Sequence, residues 1–127
     1  MHKRSYGILA SAAFLTILQG CAWLPHSKSV PVVGSWTNRI GTVWMIKKDG
    51  TFDVDLTRGG KRDTWGRYTL EGDTITLTAT GGMLPKDCKG DGVYRFRRRG
   101  PELSFTLVSD SCELRKRSVL LGWRLRR

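Results

Sequence analysis

From Val32 onward the chain alternates apolar and polar side chains in short runs, and a period of two constrains the fold more than any other feature. Phe52, Val54 and Leu56 alternate with Asp53, Asp55 and Thr57, and Ile75, Leu77 and Ala79 with Thr74, Thr76, Thr78 and Thr80. Leu103, Phe105 and Leu107 alternate in the same way with Ser104, Thr106 and Val108. Successive side chains of a strand point to opposite faces, so each run offers one face for burial. Turn residues separate the runs at Asp49-Gly50, Gly59-Gly60, Gly72-Asp73 and Gly100-Pro101. A turn about every ten residues suits an all-β fold, a barrel or a sandwich. Strands are expected over 34–37, 42–47, 51–57, 64–70, 74–80, 93–99, 102–108 and 118–125, and no sustained helical period follows residue 30.

The N-terminus obeys a different pattern. His2, Lys3 and Arg4 precede an uncharged, largely apolar run from Tyr6 to Leu18. Its length falls short of the ~20 residues that a spanning helix requires, and it lacks the polar stripe of a buried amphipathic helix. A positive start and a short apolar core are the order of a secretory signal. Leu18-Gln19-Gly20-Cys21 then closes the run. These four residues resemble the lipobox of bacterial lipoproteins. The resemblance implies cleavage after Gly20, a diacylglycerol on the Cys21 sulfur and a further acyl chain, such as palmitate, on the new amine. Two or more chains hold a protein stably at a bilayer where one does not. By the same analogy, Ala22 points to the periplasmic side of the outer membrane in a Gram-negative envelope.

On this reading residues 1–20 are the signal peptide, 21–33 the lipidated cysteine and tether, and 34–127 one small domain. Pro25 and Pro31 keep the tether extended, with a reach of at most ~40 Å. Loss of Lys3 and Arg4 leaves 20 basic against 11 acidic residues, a net charge of +9. Residues 47–94 are neutral, whereas residues 95–127 hold ten Arg or Lys against three acids. The excess of charge is thus C-terminal. With Cys21 acylated, Cys88 and Cys112 remain as an even pair in an oxidising compartment and read as one disulfide. Two cysteines make only half of a tetrahedral zinc set, and His26 lies in the tether, so no metal or other cofactor is implied.

Two further segments carry a resemblance. Gly34-Ser35-Trp36 is similar to the Gly-x-Trp that opens the lipocalin-like (calycin) barrels, in which that tryptophan packs across the barrel bottom beneath an arginine of the last strand. The resemblance implies a small closed barrel and assigns the arginine to Arg124, beside Trp123. Asp110-Ser111-Cys112-Glu113-Leu114-Arg115 is similar to an Asp-x-Cys-x-x-Arg segment of lipocalin-like exported proteins, and brings no activity with it.

Residues that could carry chemistry are few. A Ser or Cys nucleophile needs an adjacent base, and the domain has no histidine. Asp53, Asp55 and Asp63 could pair as acid and base if burial split their pKa values, but alternation turns Asp53 and Asp55 to solvent. Cationic residues offer more. Arg95, Arg97 and Arg99 share one strand face, Arg115, Lys116 and Arg117 follow the cysteine pair, and neighbouring strands could merge them into one positive surface. Trp65 beside Arg67 is expected on the outer face, unless a bulge at Gly66 turns it inward.

The expected function is therefore a non-enzymatic binding or envelope-structural module. Its partners would be the membrane through the lipid, and an anionic lipid or lipopolysaccharide on the arginines or a small apolar ligand in the barrel mouth. Nucleic acid would seldom meet such a protein. Inhibition of a secreted hydrolase such as lysozyme is an alternative, opposed by like charge. An enzyme using the three aspartates is another.

Overall fold

The alternating runs become eight antiparallel strands, each hydrogen-bonded to the next, and the last returns to the first. The computed structural model describes residues 30–127 together with Lys3 and Gly7. Cys21, the lipobox-like residues and most of the expected tether lie outside the described residues.

The strands are β1 Gly34–Thr37, β2 Val43–Ile46, β3 Thr51–Asp55, β4 Thr64–Glu71, β5 Thr74–Gly82, β6 Gly92–Arg99, β7 Glu102–Ser109 and β8 Trp123–Leu125. Inward positions fill the barrel. Trp36, Trp44, Phe52, Tyr94, Phe105 and Trp123 are buried, and the Trp44 ring lies 5.2 Å from Trp123 and 5.3 Å from Phe105. A small barrel is just wide enough for such side chains to occupy it, so the interior is a packed core.

One expected strand is mostly something else. Residues 118–125 contribute only three residues of strand, and Glu113–Val119 form a helix, α1, that alternation could not reveal. The helix has local causes. The Sγ of Cys112 accepts from the Arg115 N–H at its start, Glu113 stands in its first turn, and Lys116 and Arg117 stand in its last. These charges complement the helix dipole. Two turns are too short for a helical period to emerge against flanking strands.

Antiparallel order sorts the connections onto two ends of the barrel. Val30 to Val33, the turns after β2, β4 and β6, and the C-terminus occupy one, here the entry end. The loops after β1, β3, β5 and β7 occupy the other, the lid end, where α1 sits beside a 3₁₀ turn at Lys86–Cys88.

Candidate functional site

At the entry end a cation lies over Trp36, and it comes from an unexpected strand. The Arg98 guanidinium sits 5.1 Å from the Trp36 ring centre, and its Nη1 and Nε donate to the carbonyls of Pro31 and Gly100, both at 2.9 Å. Trp36 is fully buried and donates its indole N–H to the Val32 carbonyl at 2.8 Å. Arg124, assigned to this place by the lipocalin-like resemblance, is instead on the outer face, with Nη2 3.6 Å from Glu102. Register explains the exchange. Arg98 is paired with inward Leu103 on β7, whereas Arg124 pairs with outward Thr37 and Glu102. Gly34 stands where a side chain would meet Leu125 at 2.9 Å, and its φ of +152° favours glycine.

The basic residues do not merge into one surface. Arg95, Arg97 and Arg99 are exposed on the outer face of β6 near the entry end, where Arg126 and Arg127 also finish the chain. Arg115, Lys116 and Arg117 lie at the lid end, because β7 runs the length of the barrel between the two groups.

Arg115 is also committed elsewhere. Its Nε and Nη2 donate to the two oxygens of Asp110, each at 2.6 Å, and Nη2 donates to the Gly90 carbonyl at 2.8 Å. Asp110, with no exposed side-chain surface, also accepts from the Tyr94 hydroxyl and from the Cys112 N–H at 2.8 Å. Burial pushes the Asp110 carboxyl up, but the Arg115 and Tyr94 donors outweigh it and hold the carboxyl below its ordinary 3.8. Burial and the same carboxylate push the Tyr94 phenol far above its usual value. A side chain at Gly92 would meet Asp110 Oδ2 at 2.5 Å and Arg115 Nε at 2.6 Å, so the pair closes over bare backbone. The Asp-x-Cys-x-x-Arg segment contains Asp110 and Arg115, but the sequence leads one to expect Arg115 on a positive surface rather than in an ion pair, and Tyr94 has no signal beyond its inward position. Lys116 pairs with Glu113, and Arg117 is exposed.

The Cys88–Cys112 disulfide joins the 3₁₀ turn to the start of α1. Beneath them lies a cavity of about 80 Å³ lined by Trp44, Phe52, Leu77, Met83, Val119 and Trp123 among others. It is apolar and well under the ~300 Å³ of drug-sized ligand sites.

The aspartates are spent on loop geometry. Asp53 pairs with Lys47 at 2.6 Å and Arg62 at 3.4 Å. Asp55 accepts from the N–H groups of Thr57, Gly59 and Gly60, and Asp63 from that of Leu56 at 2.8 Å. The Lys47 hydrogen bond outweighs partial burial and keeps Asp53 below the usual carboxylate range. For Asp55 partial desolvation acts upward, and the N–H donors together overcome it. Neither carboxyl is tuned upward as a general acid requires. Among the described residues no group of three metal-ligating side chains converges, and no helix is long and apolar enough to cross a membrane.

Trp65 stays on the outer face. The ladder does shift between Trp65 and Gly66, but the extra residue is Thr80 on β5, so Gly66 remains inward. Trp65 is half-buried across Gly81, with the Arg62 guanidinium 4.0 Å over its ring; Arg67 is exposed nearby. Arg62 thus occupies the aromatic face that a ligand would need. Comparison of the chain with family models, curated proteins and solved structures finds no match.

Proposed function

We propose that this protein is a lipid-anchored, non-enzymatic envelope module, a small lipocalin-like barrel whose entry end rests on phosphate groups of an anionic lipid surface. The carrying observation is directional. The chain enters the barrel at the same end as Arg95, Arg97, Arg99, Arg126 and Arg127, and Arg98 ties that entry to the β6–β7 turn through the Pro31 carbonyl. Cys21 precedes Val30 by nine residues, which extend at most ~30 Å. A lipid on Cys21 would hold these arginines near headgroups, where each basic residue contributes ~1 kcal/mol. A soluble ligand in the mouth is the weaker reading, because the cavity is small.

The test separates lipid anchor from charge. The wild-type chain is expected in the detergent phase of a detergent partition, and the Cys21→Ser chain in the aqueous phase. The Cys21→Ser chain should still bind phosphatidylglycerol vesicles at low salt, and release at ionic strengths that shrink the screening length to a few Å. Arg97→Glu with Arg99→Glu should weaken that binding, and phosphatidylcholine vesicles should bind neither chain. Vesicles carrying lipopolysaccharide distinguish its phosphates from those of phospholipid. Binding indifferent to salt and to charge reversal would overturn the proposal.

A further inference from the structure

The barrel closes over only part of its length. β8 pairs with β7 at Glu102 and Leu103 and with β1 at Trp36 and Thr37. The further backbone bonds, from Leu125 N–H to Pro101 and from Arg126 N–H to Ser35, extend both seams toward the entry end only. Beyond Leu103, the rest of β7 has no strand beside it on that side among the described residues. The Leu125 N–H donates to the Pro101 carbonyl at 2.8 Å, so odd-numbered positions of β7 turn their backbone groups toward β8. Phe105 and Leu107 therefore direct N–H and C=O groups to an open edge.

The side chains report the same gap. Leu107 is opposite buried Tyr94 and belongs to the inward set, yet it is 40 % exposed, and its neighbour Val108 is 54 % exposed. An uncovered inward leucine is what a missing flanking strand leaves. Next to the edge, between β7 and β1, lies a surface notch of about 480 Å³ lined by Asn38, Arg39, Ser104, Leu121 and Arg124 among others. Asn38 is buried there, and its Nδ2 has no acceptor among the described residues.

We propose that this half of β7 is a docking edge for an extended, acidic segment of a partner protein, added as a further strand. An exposed edge with apolar side chains is a template for pairing, in which the backbone supplies affinity and alternate side chains supply selectivity. Charge selects the occupant. Arg39 and Arg124 rim the notch, Arg97 stands on the next strand, and the one acid of the rim, Glu102, already faces Arg124. A second copy of a chain that carries net +9 without residues 1–20 would bring like charge to the same place.

The probe is an acetylated octapeptide of alternating Glu and Val, compared with its Lys–Val counterpart, on the full chain. In the free protein the Phe105 and Leu107 amides should exchange faster than those of Ser104 and Thr106. The Glu–Val peptide should slow them, and should bind roughly tenfold more tightly than the Lys–Val peptide at low salt. Leu107→Pro removes an N–H that faces the gap and should abolish binding. Should that variant fail to fold, Arg39→Glu with Arg124→Glu should reverse the order of the two peptides. Unchanged exchange at both amides would overturn the proposal, as would equal binding of the two peptides. A peptide-free dimer in sedimentation that Leu107→Pro dissolves would assign the edge to a second copy instead, and overturn the choice of partner.

Discussion

At the entry end the barrel is closed by one arginine over one tryptophan, both on strands that the sequence pattern locates. At the lid end closure is a tertiary construction, in which a helix and a 3₁₀ turn are joined by a disulfide above a buried carboxylate. The first uses a cation that keeps contact with water and satisfies two backbone carbonyls. The second takes the carboxylate of an ion pair fully out of water and leaves its guanidinium only 12 % exposed. A buried pair adds little net stability over an apolar substitute, but is costly to break, because the surviving partner is stranded. The lid end should therefore be brittle and the entry end tolerant.

The sharpest way to break this contrast is at Asp110. Arg115→Met leaves that carboxylate buried with only the Tyr94 hydroxyl and the Cys112 N–H, and should cost about 3–5 kcal/mol, read as a lower urea midpoint at unchanged slope. The pH dependence has a definite sign. Asp110 is held below its ordinary 3.8, so its contribution is full above that value and is lost as the pH falls through the depressed folded value. The Tyr94 phenol is raised above 10.0, so its contribution is full below that pH and is lost as the pH climbs beyond it. Asp110→Asn should flatten the acid limb of the stability profile. An unchanged acid limb would show that the cluster does not govern the lid.

Removing the disulfide is the next largest step. Cys88 and Cys112 are 24 residues apart, and chain-entropy reasoning gives about 3 kcal/mol for a loop of that size. Cys88→Ser with Cys112→Ser should lower the melting temperature by that equivalent and quicken amide exchange in α1. Protection of the Trp36 indole N–H at the far end should stay as it was. Equal loosening at both ends would mean that the barrel is one cooperative unit rather than two differently built closures.

What the sequence made legible follows the same division. Seven of the eight strands lie within two residues of their expected ranges, because a strand with one buried face, bounded by turn residues, carries its pattern locally. Helix α1 was hidden, since seven residues between strands give too little periodicity and its stabilisers, Asp110 and Cys88, act from outside it. The cysteine pair was readable by counting. The lipocalin-like resemblance misassigns the arginine over Trp36 by pointing to the last strand, although alternation already sets Arg98 on the face of buried Tyr94 and Arg124 on the face opposite buried Trp123. Separation of the cationic residues onto opposite ends depends on the direction of β7. Composition and spacing do not express it.

Smaller effects test the entry end. Arg98→Ala removes a cation–π contact and two charge-assisted hydrogen bonds, and should cost about 1–2 kcal/mol. Arg98→Lys keeps the charge but cannot reproduce the fork of donors, and should recover only part of the loss. Trp36 emission should shift with the alanine variant. Arg97→Glu, one position away on the outer face, should leave thermal stability nearly unchanged, which separates the arginine that closes the barrel from those available to a surface.

The smallest effect discriminates most finely. Arg124 and Glu102 are each 67 % exposed, and their closest approach is 3.6 Å. Such a pair is largely solvated and screened, so Arg124→Ala should change stability by no more than about 0.5 kcal/mol. Had the last strand supplied the arginine over Trp36, the order of the two substitutions would be the reverse. A thermal melt in which Arg124→Ala costs more than Arg98→Ala would return closure to β8. The reverse order would place it in the β6–β7 hairpin, the same hairpin whose outer face carries Arg95 and Arg97, so that one element both seals the entry end and presents its charge.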